Sequence, residues 1–519
     1  MTSRRSLAEA YHQMTKYFRE EVTENPRRLD WATQPAPHKE YHSERKVELV
    51  HYLPFPKNPF TGGPLEPRPE GEGEPFGLAE LSRLLYFSNG VTGMLQYPNG
   101  NMQYFRAAPS AGALYPTEIY LAVRDIPSLD NGVYNFQVRD HSIIPLWDGN
   151  FWDEFERYCF GHEAISQSRL LLILTGVYER SAWRYQDRAY RRILLDTGHI
   201  LGNINVCAKR QGFGVYPISG FFDGALNQLL FLDEEEEGVL TMCAMPRLSD
   251  LQAIEIRKSS VYPSVLTEEK SEGESKSLLL RLHLASRIGK GEGKREGELP
   301  DERAREEKYR DRPAVPFKGG AIDWGSGIEE TIFRRRSTRA YSGDGFKREE
   351  LASVLTFSYE PAILNDEGFA AQRGLPQVFD PSLLETYVVV HDVGDLERGI
   401  YCYAPKSQEL RLIRTGDFRR EAWEFSLGQE LGRDAAALVI HTSNLPAAVA
   451  KYGDRAYRYL HLDAGHIGQR LNLAALRLNL GASGIGGFFD DEVNRMLEIS
   501  LDQAIIYITT LGVPGASGG

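Results

Sequence analysis

Residues 187–200 read DRAYRRILLDTGHI and residues 454–467 read DRAYRYLHLDAGHI; ten of the fourteen positions are identical. Residue 454 answers residue 187, an offset of 267, and that offset pairs further landmarks without a gap from residue 106 to residue 223. Arg106 meets Arg373, Pro109 meets Pro376, Glu118 and Tyr120 meet Glu385 and Tyr387, and SGFFD at 219–223 meets GGFFD at 486–490. A period this long is a whole domain rather than a solenoid unit. The chain of 519 residues has room for two cores. Two copies in one chain are expected to pack as a pseudo-twofold pair, an internal imitation of a C2 homodimer.

Periodicity gives the elements. IYLAV (119–123), LLLILT (170–175) and VLTMC (239–243) read as buried strands, as do YVVV (387–390), AALVIHT (436–442) and IIYITT (505–510). Arg188 to Gln211 and Arg455 to Asn479 read as long helices; Leu460, Ile467, Leu471, Ala474 and Leu478 share one apolar face of the second. Gly212 and Gly481 stand where C-capping glycines are expected. The fold class is α+β. The expected division is an extension (1–75) without a counterpart in copy two, a first domain (76–250), a charged linker (251–325) and a second domain (326–519). Within the extension YHQMTKYFREEV is a candidate amphipathic helix, and the Pro-rich remainder reads as extended chain. The linker, with GKGEGKREGELPDERAREEKYRDR, reads as solvated.

Composition excludes several classes. The chain is 42% hydrophobic and 25% charged with a net charge of -12, which argues against nucleic acid as a partner. Cys159, Cys207, Cys243 and Cys402 lack metal-ligand spacing and are too few for a disulfide framework, so a reducing, cytoplasmic setting is expected. No apolar run reaches membrane-spanning length, and the N-terminus has no apolar signal core. His199 and His466, one per copy, have no ligand partners at suitable spacing; they read as core or interface histidines, and no metal is expected. The DEEEE run (233–237) reads as a solvated turn.

Three segments carry candidate chemistry. In FRRRSTRAYSG (333–343) Arg335, Ser337 and Arg339 alternate, so on extended chain they face one way; they either suit a phosphate dianion or form an ordinary Arg-rich surface arm. In RAAPSAGALYPTEIY (106–120) Pro109, Ser110, Ala111, Gly112 and Ala113 make a small-residue turn. It either approaches a flat ligand with free amides or is an ordinary turn before a strand. Gly486 and Gly487 follow the second long helix, where they permit an unusual φ or a close ligand contact; a helix-exit turn with a packed aromatic explains them equally.

Together RRSTR, PSAGALYP, the DRAYR helix and the GGFFD turn resemble the nitroreductase superfamily of flavin enzymes, with a closer likeness to its SagB-type branch, the thiazoline/oxazoline dehydrogenases. The likeness covers roughly 78–250 and 328–515. It implies two nitroreductase-like domains, each a mostly antiparallel sheet flanked by helices, joined through their long helices as an intrachain pseudo-dimer. It also implies FMN at the interface, held by the Arg/Ser/Arg arm and Gly-Gly turn of one side and the Pro-Ser turn of the other. The copies have diverged in a complementary way. Copy one keeps the Pro-Ser turn, but GGPLEPRPEGEGEPFG replaces the arginine arm; copy two keeps the arm, but Gln377, Val378 and Phe379 replace the turn. One composite FMN site is therefore expected. In the azoline-oxidising branch a Lys-Tyr pair before the long helix resembles a catalytic base and its partner. Lys451-Tyr452 match it in copy two and Arg184-Tyr185 stand there in copy one, and which pair faces the complete site is open. The resemblance implies an FMN-dependent oxidoreductase with ping-pong hydride transfer, NAD(P)H as donor and a small-molecule substrate, able to act as a monomer. Two alternatives stand beside it: an azoline dehydrogenase working on a peptide or small molecule with a partner enzyme, and a non-catalytic flavin-binding protein.

Overall fold

The computed structural model describes residues 6–24, 28–65, 76–98, 100, 102–249, 277–289, 304–325, 327–365 and 383–515. The apolar runs form two seven-stranded antiparallel sheets with the same strand order. From edge to edge the first is Val47–Glu48, Ser142–Asp148, Gly132–Gln137, Thr117–Val123, Ser168–Val177, Glu237–Pro246 and Tyr216–Ile218. The second is Ala314–Pro316, Glu409–Thr415, Gly399–Ala404, Glu385–Val390, Ala437–Asn444, Gln503–Gly512 and Gly481–Ile485. Even the register repeats: Tyr120 lies opposite Ile173, and Tyr387 opposite Ile440. One continuous apolar core joins Leu172, Ile193 and Leu201 of copy one to Val439, Leu460 and Leu471 of copy two.

The two long helices, Ala189–Arg210 and Ala456–Arg477, run through that shared core and cross at the glycine of the repeated Gly-His-Ile. A Cβ on Gly198 would fall 2.3 Å from the Leu462 carbonyl oxygen, and one on Gly465 would fall 2.3 Å from that of Leu195. Backbone on both sides forbids relief, so this is where glycine is required. On an exposed helix Gly→Ala gains roughly 1 kcal/mol. Here Gly465→Ala is expected to lower stability by about 1–3 kcal/mol through overpacking, read from the urea midpoint. A rise in the midpoint would show that the helices do not cross there.

The rest of the repeated motif is a pair of reciprocal clamps. Arg188 and Arg191 reach Asp490 of copy two at 2.9 and 2.7 Å; Arg455 and Arg458 reach Asp223 of copy one at 2.8 and 2.7 Å. All six side chains are buried. The repeated DRAYR and FFD segments thus hold each copy's long helix to the other copy's turn.

The extension and linker differ from expectation. A helix at Leu7–Met14, begun by a Ser6–Glu9 capping box, is shorter than the expected segment and partly buried. It has a counterpart inside the linker, the helix Leu278–Ala285. His12 Nδ1 lies 3.2 Å from the Tyr457 hydroxyl, and His283 Nδ1 lies 3.1 Å from that of Tyr190. Arg191 donates to the His12 carbonyl and the Thr15 hydroxyl; Arg458 donates to the His283 carbonyl and the Ser286 hydroxyl. Further on, the Lys39 amide donates to Glu118 and the Lys308 ammonium to Glu385, the equivalent glutamates, with the lysines beside Tyr120 and Tyr387. The repeat therefore reaches from the N-terminal segment into the charged stretch, which is not wholly solvated linker.

The capping glycines also differ. Gly212 takes the left-handed conformation after the first helix (φ +77). After the second, Asn479 does so (φ 61), and Gly481 opens a strand.

Candidate active site

Between the copies lies a cleft of about 540 Å³. Copy one supplies Pro109, Ser110, Ala111, Gly112 and Ala113; copy two supplies Arg335, Ser337, Arg339 and Gly486. Gly487 follows on the chain, and its carbonyl accepts from Gln429 Nε2 at 3.4 Å.

The arginine arm leaves a helix, Ile328–Arg334, and enters extended backbone at Arg335 (φ -55, ψ 123). Arg335 is buried and donates from Nε to the Ala107 carbonyl at 2.9 Å and from Nη2 to the Arg106 carbonyl at 3.1 Å, leaving Nη1 without a partner. Burial pulls its guanidinium down to about 10, so it is still charged at neutral pH. The alternation is incomplete, because Arg336 also borders the cleft; its guanidinium turns aside to the Thr92 carbonyl at 2.8 Å.

The small-residue turn is held differently from the expectation of free amides. The Ser110 hydroxyl donates to Asp196 at 2.5 Å and accepts from the Tyr115 amide at 2.9 Å. The Ala111 amide donates to the Asp196 carboxylate at 3.2 Å, and that of Ala113 to the Ser110 carbonyl. Gly112 and Ala113 sit at positive φ (66 and 53). Gly486 and Gly487 do not, so an unusual φ is not their reason. A Cβ on Gly487 would meet Leu427 at 2.9 Å, and the Gly486 carbonyl accepts from Arg192 Nη2 at 3.1 Å. Burial pushes the Asp196 carboxyl up to about 7, with the Ser110 and Ala111 bonds and Arg192 pulling it back.

The structure separates the two basic-Tyr pairs. A Cβ on Gly112 would meet the Tyr185 hydroxyl at 2.8 Å and Arg184 at 3.4 Å, so Arg184 and Tyr185 back the turn of the composite cleft. None of the four lines that cleft directly, and Lys451 and Tyr452 lie away from its turn. Tyr452 packs edge-on to Tyr459, whose hydroxyl donates to the Ser219 carbonyl, at the pseudo-symmetric turn of copy one. Gln377, Val378 and Phe379, and the glutamates of residues 66–75, lie outside the described residues.

Sequence reasoning missed Arg192, Asp196, His199 and Tyr507, which all line the cleft. His199 bonds Gln469 and the Tyr507 hydroxyl across the interface, and burial lowers it to about 4, leaving it neutral. Arg192 and Asp196 belong to the repeated helix motif, where the duplication rather than any chemistry stands out. Comparing the copies would have exposed Arg192, since copy two has Tyr459 in its place.

The sequence pattern of the nitroreductase family matches residues 78–245 and 332–513. Two similar proteins are described as "putative nitroreductase". One, from Methanocaldococcus jannaschii, is 32% identical over 160 residues, covering 31% of this chain and 77% of its own. The other is a crystal structure from Anabaena variabilis with 44% identity and a TM-score of 0.85, covering 99% of this chain and 100% of that one. The microcin B17-processing protein McbC of Escherichia coli is 25% identical over 135 residues, covering 25% of this chain and 49% of its own.

Proposed function

The chain belongs to the nitroreductase family, and from that premise we propose that it is an FMN-dependent oxidoreductase with one flavin per chain, held in the composite cleft. The observation that carries this reading is the buried Arg335 guanidinium, which lines the cleft with one nitrogen unpartnered. A buried charge of this kind calls for an anion. Arg335, Ser337 and Arg339 would hold the FMN phosphate, and the Pro109–Ala113 turn with Gly486 and Gly487 would flank the ring. FMN, when bound, supplies hydride transfer; the protein binds, orients and excludes water. Both walls come from one chain, so no second chain is required to build the site.

NAD(P)H is the proposed donor, exchanging with a small-molecule acceptor on the same face. The azoline reading is weaker, because Arg184 rather than Lys451 accompanies the tyrosine at this cleft and arginine does not lose its proton. Flavin released from the denatured pure chain, quantified by absorbance, is expected at one FMN per chain, and NADPH should bleach it in the native protein. Two FMN per chain would refute the single composite site. No flavin after incubation with excess FMN would refute the cofactor.

A further inference from the structure

We infer that the cleft takes a substrate bearing an anionic group, read by Arg192 with Arg184 at the end formed by the Pro-Ser turn and Gly486. This rests on the flavin reading above but concerns a different anion from the flavin phosphate. Arg335 and Arg339 belong to the arm; Arg192 belongs to the long helix of the other copy and reaches the opposite lining.

The Arg192 side chain is 5% exposed, lines the cleft and leaves Nη1 without a hydrogen-bond partner. Its other contacts are neutral: the Gly486 carbonyl at 3.1 Å, the Tyr17 hydroxyl at 3.5 Å and the Tyr185 ring, whose centroid lies 3.8 Å from the guanidinium carbon. No salt bridge joins Arg192 or Arg184 to a carboxylate among the described residues. Asp196, the carboxylate lining the cleft, feels the charge of Arg192 but accepts its hydrogen bonds from Ser110 and Ala111. Among the described residues four arginines and one carboxylate line the cleft, in a chain of net charge -12, so positive potential is focused there.

The asymmetry between the copies points the same way. Arg192 lines this end, with Tyr17 bonded to it and Arg184 behind Gly112, where the pseudo-symmetric positions hold Tyr459, Ile288 and Lys451. Burial would raise the Tyr17 phenol, but Arg192 and Arg188, the latter paired with Asp490, outweigh it and lower it. A guanidinium fork desolvated against a ring is suited to a carboxylate or phosphate. Such a group could sit on the acceptor or on the dinucleotide donor.

Calorimetric titration of the purified flavin-bearing chain separates these cases. One arm compares 4-nitrobenzoate with its methyl ester; the other compares NADP⁺ with nicotinamide. In at least one arm the anionic probe is expected to bind at least tenfold more tightly. Arg192→Gln should abolish that ratio while flavin content stays at the wild-type level. Arg184→Gln, on the half-buried flank, should reduce it and serves if the first variant does not fold. The arm that responds identifies the source of the anion. Equal binding of charged and uncharged probes, or a ratio that survives Arg192→Gln, would overturn the inference. So would loss of flavin from Arg192→Gln, since it would assign Arg192 to the flavin itself. A chain that binds no flavin but keeps the Arg192-dependent ratio would sink the cofactor reading and leave this one standing.

Discussion

Asp490→Ala is expected to destabilise the chain by about 3–5 kcal/mol, the cost of leaving a buried charge without its partner. The setting puts it at the upper end, because two guanidiniums, Arg188 and Arg191, lose the same carboxylate. Burial alone would raise the Asp490 carboxyl; the two arginines hold it below the usual range. A depressed carboxyl contributes stability above its unfolded pKa and loses it as pH falls through the folded one. The difference between wild type and variant should therefore shrink in acid. Asp490→Ala combined with Arg188→Met and Arg191→Met should recover much of the loss, since an apolar replacement of a whole buried ion cluster is often neutral. Urea unfolding of the three proteins reads all of this. A single-variant loss under 1 kcal/mol, or a triple variant no better than the single, would remove the clamp as the link between the copies.

That clamp marks where sequence reading succeeds and where it stops. The duplication, the long helices and the central strands were legible because each leaves a period in the chain: 267 for the repeat, three to four for the helix face, continuous apolar runs for strands buried on both sides. The composite cleft was legible because the copies diverged in opposite halves. The short helix at Leu278–Ala285 was not, because little of its sequence matches Leu7–Met14 and its offset departs from 267. What the two share is chemistry that only contact reveals: a histidine to a tyrosine hydroxyl, and Thr15 or Ser286 to an arginine. Which pair faces the cleft was likewise undecidable in one dimension. The Gly198–Gly465 crossing fixes it, carrying the start of each helix to the other copy's Gly-Phe-Phe turn. Asp196 escaped notice because its identity with Asp463 made it look structural; the divergent partner, Ser110 against Gln377, was the signal.

Asp196→Asn is expected to gain on the wild type by roughly 4 kcal/mol between pH 4 and pH 8. The folded carboxyl titrates near 7 against an ordinary 3.8, and each unit is worth about 1.4 kcal/mol. A carboxyl raised on folding contributes its full stability below pH 3.8 and loses it as pH rises through 7. Above that the ionised group is a constant penalty, which the amide does not suffer. The measured quantity is the difference in unfolding free energy between the two proteins at each pH, in which groups common to both cancel. A difference flat across that range would mean that Asp196 is already ionised in mild acid, held so by Ser110 and Ala111. A sloping one has a consequence for the cleft. The two bonds from the Pro-Ser turn favour the ionised carboxylate, whereas burial favours the proton, so near neutrality the turn and the proton compete for one group. Ser110→Ala removes one bond on the ionised side and should move the midpoint of the slope upward. The turn that flanks the proposed ring would then be held more firmly above pH 7 than below it, a pH dependence originating outside any substrate or cofactor.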